Sequence, residues 1–321
     1  MDKDNLLLDA AERIFSDLCD KTLLETAGQG EFPAALWSTL QQNGFHELAM
    51  PDSGVTLADA FATIRLAGRY ALPLPLAEIL LANRWLGSSD RLVTIGLVDG
   101  DRVVGAPWAR RADLVLGLDP ERGAFALAST DGPVDQGANL AGEPRDGVPL
   151  AAAASAAAEW IPLTEPAFHY LALARTVAMA GSLDRLLELT LRYANEREQF
   201  GRPIGRFQAV QHSLAVAAGE VAAASRAADA AIEALDGPRF ELEVAAAKAR
   251  VGEAVGVVAE IAHQVHGAMG YTYEHQLHHF TRRAWAWRDE FGNETFWQQR
   301  LGQHLAALGA DRLWDFVATR G

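Results

Sequence analysis

The chain has 321 residues, of which 50% are hydrophobic and 22% charged, a composition ordinary for a folded globular protein with a substantial core. Its formal net charge of −14 argues against non-specific binding to nucleic acid or to an anionic membrane surface, because both need many basic contacts. A single cysteine, Cys19, excludes an intrachain disulfide and argues against a cysteine-based metal site, so a reducing cytoplasm is expected. No apolar run reaches transmembrane length, and the first residues do not resemble a signal peptide.

The first part of the chain predicts an N-terminal helical domain over residues 1–88. Apolar residues recur there at helical spacing and predict a first helix with one apolar face. The four residues of that face are Leu6, Ala10, Ile14 and Leu18. Further helices are expected near 32–44, from Thr56 to about Leu72, and over 76–85.

A change of character predicts a reduced middle β domain over residues 89–163. Four short β-leaning runs, at 92–98, 103–108, 114–118 and 124–128, are separated by Asp, Gly and Pro. A small antiparallel unit is the economical interpretation, with hairpin turns at Asp99-Gly100 and Arg122-Gly123. Residues 131–149 are rich in Gly, Pro and Asp, and an exposed loop is expected there.

The remaining residues, 164–321, predict a C-terminal helical bundle domain. Leu183, Leu186, Leu187 and Leu191 form an apolar stripe, and 214–235 and 240–266 are long enough for helices that span a bundle. Thr164-Glu165-Pro166 predicts a helix start, with Thr164 as N-cap. The fold class is therefore mainly α with a small β unit.

Two glycine-bearing turns interrupt this helical region. The first, Arg197 to Gln208, places a guanidinium at a helix end, where it could make planar, charge-assisted hydrogen bonds to a diphosphate. Phe200 would offer a stacking face to a purine. In the second turn, Gln264 to Tyr271, Gly267 lets backbone approach a ligand closely. Taken alone, Arg197 would more often cap carbonyls or pair with a neighbouring glutamate.

The histidines do not predict a metal site. His212, His263 and His266 lie at mixed spacing without a matching set of carboxylates. Three more, His275, His278 and His279, are expected to be surface or hydrogen-bonded polar residues.

Together with Leu36–Phe45 and Ala49–Pro51, the two turns resemble the acyl-CoA dehydrogenases. The resemblance implies a helical N-terminal domain, a middle β domain and a C-terminal four-helix bundle. It also implies FAD as cofactor, bound mainly by a neighbouring subunit. The residues that it assigns to FAD binding are Arg197, Phe200, Gln208, Gln264 and Gly267.

The chain departs from the family pattern where the chemistry would be. The family reaction needs a carboxylate that removes an α-proton while hydride leaves the β-carbon for the flavin. Phe291 stands at the usual position of that glutamate, and apolar Leu171 stands near the alternative position. Glu290 and Glu294 are close enough to serve if the alignment shifts, although a surface carboxylate is favoured for both. The flavin-contacting loop of the family is missing from residues 90–162.

With these departures, the chain resembles the shorter subunit of the α2β2 acyl-CoA dehydrogenases of bacterial steroid catabolism. The resemblance implies a larger partner subunit that supplies the base, a bulky acyl-CoA substrate and a separate electron-transfer acceptor. Three hypotheses stay open: a cofactor-completing subunit without a base, a self-sufficient homomer that uses Glu290 or Glu294, and a flavin-free assembly scaffold.

Overall fold

The computed structural model describes residues 3–128, 133–150 and 160–319. The first two residues of the predicted loop over 131–149 therefore lie outside the described residues. Five helices come first: α1 (Lys3–Leu18), α2 (Lys21–Gly28), α3 (Ala34–Gln42), α4 (Leu57–Arg69) and α5 (Leu76–Leu86). The Thr56 hydroxyl caps α4 by accepting a hydrogen bond from the Asp59 N–H at 3.1 Å, and Gly87, at φ +64°, ends α5.

The buried face of α1 differs from the predicted one. Ala11 and Phe15 are fully buried, whereas Leu6 is 47% exposed and Ala10 is exposed. A repeat of four residues drifts by about 40° around a helix at each step, so periodicity alone did not select the face. The ring of Phe15 decides it, because it packs 6.4 Å from Phe45.

A six-stranded sheet follows the first helices. Its strands are β1 (Val93–Asp99), β2 (Arg102–Ala106), β3 (Leu114–Asp119), β4 (Ala124–Ala128), β5 (Asp146–Pro149) and β6 (Ile161–Pro162). The order is β5-β2-β1-β3-β4-β6, and both predicted hairpin turns are confirmed.

Two expectations for this region are wrong. The unit is not wholly antiparallel, because the chain returns after β2 and pairs β3 parallel to β1 on its other edge. Residues 146–149 are not exposed loop, since they form β5 against β2 and Val148 is fully buried. Asp146 is buried too, and Arg110 compensates its charge by donating from Nε at 3.1 Å to Oδ1.

The C-terminal region is helical apart from one short hairpin. Its elements are α6 (Ala167–Glu196), β7 (Glu198–Gln199), β8 (Arg202–Pro203), α7 (Gln208–Glu233), α8 (Phe240–His266), α9 (Leu277–Asp289), α10 (Glu294–Leu308) and α11 (Ala310–Thr319). The predicted bounds of α8 are confirmed, whereas α7 starts earlier than predicted. Thr164 is not the N-cap of α6, because Pro166 occupies that position without a side-chain hydrogen bond. Leu191 is 40% exposed, unlike buried Leu183.

Helix α6 is the centre of the molecule and packs against α4, α7, α8 and α9. Gly181 permits its close crossing with α4, because a Cβ there would overlap the carbonyl of Arg65. Residues from all three predicted domains contribute to one apolar core. The boundaries between those domains stay a prediction. Within the described ranges, no helix is long and apolar enough to cross a membrane.

Candidate functional site

The first glycine-bearing turn is a two-residue hairpin between β7 and β8. Phe200 at φ +53° and Gly201 at φ +80° provide the two left-handed positions that such a hairpin requires. The Phe200 side chain is 92% exposed, with its ring edge-on to Phe207 at 6.1 Å. A large aromatic side chain in strained backbone therefore projects into solvent.

Arg197 follows α6 directly and is held by its backbone. Its N–H donates to the Tyr193 carbonyl at 2.8 Å, and its own carbonyl accepts from the Ile204 N–H at 2.8 Å. The guanidinium is exposed, and in the described part of the chain it has no ion-pair or hydrogen-bond partner. The alternative pairing with Glu196 or Glu198 is not present. Gln208, the first residue of α7, is also exposed.

The second turn begins where α8 ends. Gly267 has φ +57°, and a Cβ added there would meet nothing within 4 Å, so this backbone borders open space. Gln264 is exposed one turn earlier. Met269 and Tyr271 are 36% and 74% exposed.

A ring stack brings the two turns together at one end of the bundle. The ring of Tyr193, one turn before Arg197, lies 4.3 Å from the ring of His266 at an interplanar angle of 27°. His266 directly precedes Gly267. The predicted residues Arg197 and Gly267 therefore each lie beside one member of the same stack.

Several histidines lie near the second turn. Burial lowers the pKa of His266 to about 4 and that of His279 to about 3, so both rings are neutral at pH 7. His279 is only 7% exposed and its Nε2 has no hydrogen-bond partner among the described residues, which corrects the expectation of a surface or hydrogen-bonded group.

The two sequence positions expected to carry the catalytic carboxylate of the family hold side chains that cannot titrate. Leu171 is fully buried on α6. Phe291 lies between α9 and α10 at φ +57°, with its ring 6.2 Å from that of Phe168. The Arg175 guanidinium lies over the Phe291 ring, 5.4 Å from the ring centre.

Glu290 is held in a buried ion-pair network, so its expected place on the surface is wrong. Arg145 donates to one carboxylate oxygen at 2.8 Å and Arg175 to the other at 2.5 Å, while Asn139 adds a hydrogen bond at 3.1 Å. Burial acts to raise the pKa of Glu290, but the guanidiniums of Arg145 and Arg175 outweigh it and hold the pKa at about 2. A carboxylate in this state is a poor proton acceptor.

The network extends through the centre of the molecule. Arg175 also pairs with Glu78, which is 1% exposed. Glu143 accepts from Arg283 at 3.1 Å and from the Trp287 indole at 2.9 Å. The network consists of three glutamates and three arginines, of which Arg145 and Glu290 are partly buried and the others buried: Glu78, Glu143, Glu290, Arg145, Arg175 and Arg283. A cavity of about 50 Å³ that these side chains help to line has room for only a few water molecules.

Glu294 is also structural rather than a surface group. It is 9% exposed and pairs with Arg288. Lys248 fixes the same loop, because its Nζ donates to the carbonyls of Arg288 at 2.7 Å and Gly292 at 2.8 Å. The segment that follows α9 is therefore anchored from both sides.

Comparison with known proteins identifies the family. Residues 161–301 match the model of the acyl-CoA dehydrogenase C-terminal domain. Acyl-CoA dehydrogenase IpdE2 of Mycobacterium tuberculosis is 31% identical over 274 residues, which cover 79% of this chain and 81% of that protein. The chain belongs to the acyl-CoA dehydrogenase family. The resemblance inferred from the two turns is thereby confirmed.

Solved structures support the acyl-CoA dehydrogenase fold over nearly the whole length. A chain of the ChsE4-ChsE5 complex from Mycobacterium tuberculosis superimposes with a TM-score of 0.84 at 23% identity, covering 95% of this chain and 98% of that one. A chain of the Tcur3481-Tcur3483 steroid acyl-CoA dehydrogenase variant gives 0.83 at 22% identity, with coverage of 95% and 98%. The predicted fold class, mainly helical with a small sheet, is confirmed.

In this member of the acyl-CoA dehydrogenase family, sequence reasoning missed the ion-pair network and the contact between His266 and Tyr193 that joins the turns. Arg145 and Arg175 are separated from Glu290 by 145 and 115 positions in sequence, so no local pattern predicts these ion pairs. The position of His266 beside Gly267 was the available signal for the second feature.

Proposed function

We propose that the chain is a subunit of a flavin-dependent acyl-CoA dehydrogenase that completes the FAD site of a larger partner and supplies no base of its own. One observation carries the proposal. The chain leaves Arg197 exposed and without a carboxylate at a pair of open turns, yet it fills the positions of the family base with Phe291 and Leu171.

The turns fit the diphosphate end of FAD. Arg197 offers a guanidinium free to make charge-assisted hydrogen bonds, and Gly267 offers backbone that borders open space. Phe200 offers an exposed ring, while Gln208 and Gln264 offer exposed amides nearby. When bound, FAD would supply the hydride acceptor of the dehydrogenation.

Proton abstraction falls to the partner subunit under this proposal. Glu290 is ionised between two guanidiniums, and Glu294 is buried against Arg288. Freeing Glu290 would take one of the two carboxylates from each of Arg145 and Arg175, and freeing Glu294 would break its ion pair with the partly exposed Arg288. The first change is costly because both guanidiniums are enclosed. The self-sufficient homomer that uses one of these residues is therefore disfavoured.

The substrate class and assembly come from relatives. Of the two superimposable structures described above, one is a steroid acyl-CoA dehydrogenase variant, and both are named for a pair of proteins. We infer a bulky, steroid-derived acyl-CoA thioester, an α2β2 heterotetramer with the larger subunit, and an external electron-transfer acceptor. The flavin-free scaffold differs from this proposal in assigning no ligand to Arg197.

The test is the visible spectrum of the chain purified alone and with its larger partner. We expect flavin absorbance only from the complex, because the chain alone offers one end of the site. Arg197→Ala in the complex should raise the Kd for FAD about 10- to 100-fold, the range expected for hydrogen bonds to a charged group.

Arg13→Ala is the matched control, since Arg13 is an exposed arginine on α1, remote in sequence from both turns. It should leave FAD binding unchanged, and neither variant should shift the unfolding temperature of the chain. A yellow chain in isolation would establish the homomer instead. Unchanged FAD affinity in Arg197→Ala would support the scaffold.

A further inference from the structure

A second cavity, of about 460 Å³, lies between α2 and the first half of α9, and we call it the α2–α9 cavity. Its volume falls in the range of small-molecule pockets. None of residues 197–208 or 264–271 lines it, so it is separate from the two glycine-bearing turns. The polar side chains in its walls are Glu25, Gln29, Tyr273, His278, His279, Arg282 and Arg283.

Helix α9 contributes two pairs of side chains to this cavity. His278 and Arg282 are four residues apart and so lie one turn apart on the same face, and the same holds for His279 and Arg283. Arg283 is held in the buried ion-pair network. Arg282 is partly exposed, and its Nε and Nη2 donate to the Leu140 carbonyl at 3.0 and 2.7 Å. No carboxylate lies within 4 Å of Arg282 in the described part of the chain, so its charge is available to a ligand.

His278 offers a hydrogen-bond acceptor beside this charge. Its Nδ1 lies 2.8 Å from the His275 carbonyl, which can only accept, so Nδ1 carries the ring hydrogen. Burial lowers the pKa of His278, so at pH 8 the ring is neutral and Nε2 has a lone pair. That Nε2 has no hydrogen-bond partner in the described ranges, and it is not buried. A ligand in the cavity can satisfy it only by donating a hydrogen bond.

The charges around the cavity favour an anion. Burial is the largest cause that lowers the pKa of His279 to about 3, and the cations Lys21, Arg282 and Arg283 lower it further. Among the described lining residues the one carboxylate is Glu25, which pairs with Lys21 at 3.5 Å. A positive local potential of this kind contrasts with the formal net charge of −14 of the chain.

We propose that the α2–α9 cavity binds a phosphate group, either as hydrogen phosphate or as the phosphate of a small polyol ester. Arg282 donates charge-assisted hydrogen bonds to the phosphate oxygens, and a hydroxyl hydrogen of the ligand lies on Nε2 of His278. Sulfate and carboxylates can accept from the guanidinium but carry no hydrogen at pH 8, so they leave the imidazole acceptor unpaired. Hydrogen phosphate supplies both groups. This site does not depend on the proposed role in FAD binding.

The test is calorimetric titration of the full chain with phosphate and with sulfate at pH 8 and constant ionic strength. Sulfate is the matched probe, because at this pH it has the same charge and shape as hydrogen phosphate but no hydrogen to donate. We expect phosphate to bind the wild-type chain about three- to tenfold more tightly than sulfate, the value of one hydrogen bond. Glycerol phosphate identifies the source of the group: tighter binding than phosphate assigns the ester, and weaker binding assigns free phosphate.

Two variants separate the acceptor from the charge. His278→Phe should weaken phosphate binding alone and so abolish the preference over sulfate. Arg282→Met should weaken both anions about tenfold or more, because it removes charge-assisted hydrogen bonds. The matched controls are His212→Phe and Arg13→Met, at exposed positions on α7 and α1, and neither should change either Kd.

Arg197→Ala distinguishes this cavity from the glycine-bearing turns, since it should leave phosphate binding to the chain unchanged. Loss of phosphate binding in that variant would place the anion at the turns and overturn the inference. Equal affinity of the wild-type chain for phosphate and sulfate, or no binding of phosphate at all, would also overturn it and needs no variant that could fail to fold. A preference for phosphate that survives in a folded His278→Phe chain would do the same.

Discussion

Arginine has opposite surroundings at two places in this molecule. At the end of α6, Arg197 is exposed and has no acidic partner among the described residues. Near the middle of the same helix, Arg175 is buried between Glu78 and Glu290. Because both lie on or beside one helix, the difference lies in their surroundings: Arg197 faces solvent, whereas Arg175 is paired with two carboxylates in the interior.

The enclosed region occupies the neighbourhood in which the family base is expected. Instead of one titratable carboxylate beside a substrate space, it holds six compensating charges and a cavity of about 50 Å³. A buried network of this kind is tolerable only while every member is paired. Phe291 and the ion-pair network therefore share one neighbourhood, in which Arg175 pairs with Glu290 and lies over the Phe291 ring.

The sharpest way to break the comparison is to remove the enclosed cation. Arg175→Met leaves buried Glu78 without its ion-pair partner and leaves Glu290 with Arg145 alone, so we expect the free energy of unfolding to fall by about 3–5 kcal/mol. Urea unfolding of the chain measures this. Arg65→Met is the matched control, since Arg65 pairs with Asp184 and Asp229 at a partly exposed site and should cost much less.

A loss below about 1 kcal/mol in Arg175→Met would show that water or rearrangement compensates the network. The two regions would then not differ in the way the geometry implies.

The difference between the regions also explains what the sequence could predict. The bounds of α8 and the two turns were predictable, because helix periodicity, Gly267 and Asp236-Gly237-Pro238 are local signals. The residues predicted to bind FAD lie on two short stretches of sequence, which a resemblance to a family can point to, and their role stays a prediction.

The enclosed region could not be predicted in the same way. The residues next to Glu290 in sequence suggest a surface carboxylate. In the structure Glu290 pairs with Arg145 and Arg175, which are far away in sequence. Strand β5 was not predicted for the same reason, since its partner β2 lies about 40 residues earlier in the sequence. Non-local pairing decides both outcomes, whereas periodicity reports only on local structure.

Acidification tests the histidines beside the open turns, with a smaller effect. The pKa of His279 is lowered to about 3 and that of His266 to about 4, so the unfolded chain binds more protons than the folded one below pH 6.5. The contribution of these two rings to stability is complete above pH 6.5 and is lost progressively as the pH is lowered toward 4. Each group contributes a slope of at most about 1.4 kcal/mol per pH unit.

Unfolding free energies at pH 7, 5.5 and 4.5 measure this slope. His279→Gln should flatten it, because the variant has no ring to protonate at that site. His212→Gln serves as a control for the same substitution at an exposed position on α7. Equal slopes in His279→Gln and wild type would mean that His279 titrates normally in the folded chain.

Substitution of Phe200 should have the smallest effect on the stability of the chain. Its left-handed backbone costs about 1–2 kcal/mol for an ordinary side chain, and its ring gains only one edge contact with Phe207. Phe200→Asn places there a residue that tolerates this conformation. We therefore expect the free energy of unfolding to lie between about 0.5 kcal/mol below and about 1 kcal/mol above that of wild type.

The same substitution should weaken FAD retention by the complex, because it removes an exposed stacking surface. Phe207→Ala is the contrasting variant: Phe207 has no left-handed strain and Ala adds no cap at the start of α7, so this variant should lose stability without compensation. A chain that is clearly destabilised by Phe200→Asn would show that the ring serves the monomer. A chain that keeps its stability while the complex loses FAD would show that the strained, exposed ring is retained for the ligand, as the open state of Arg197 implies.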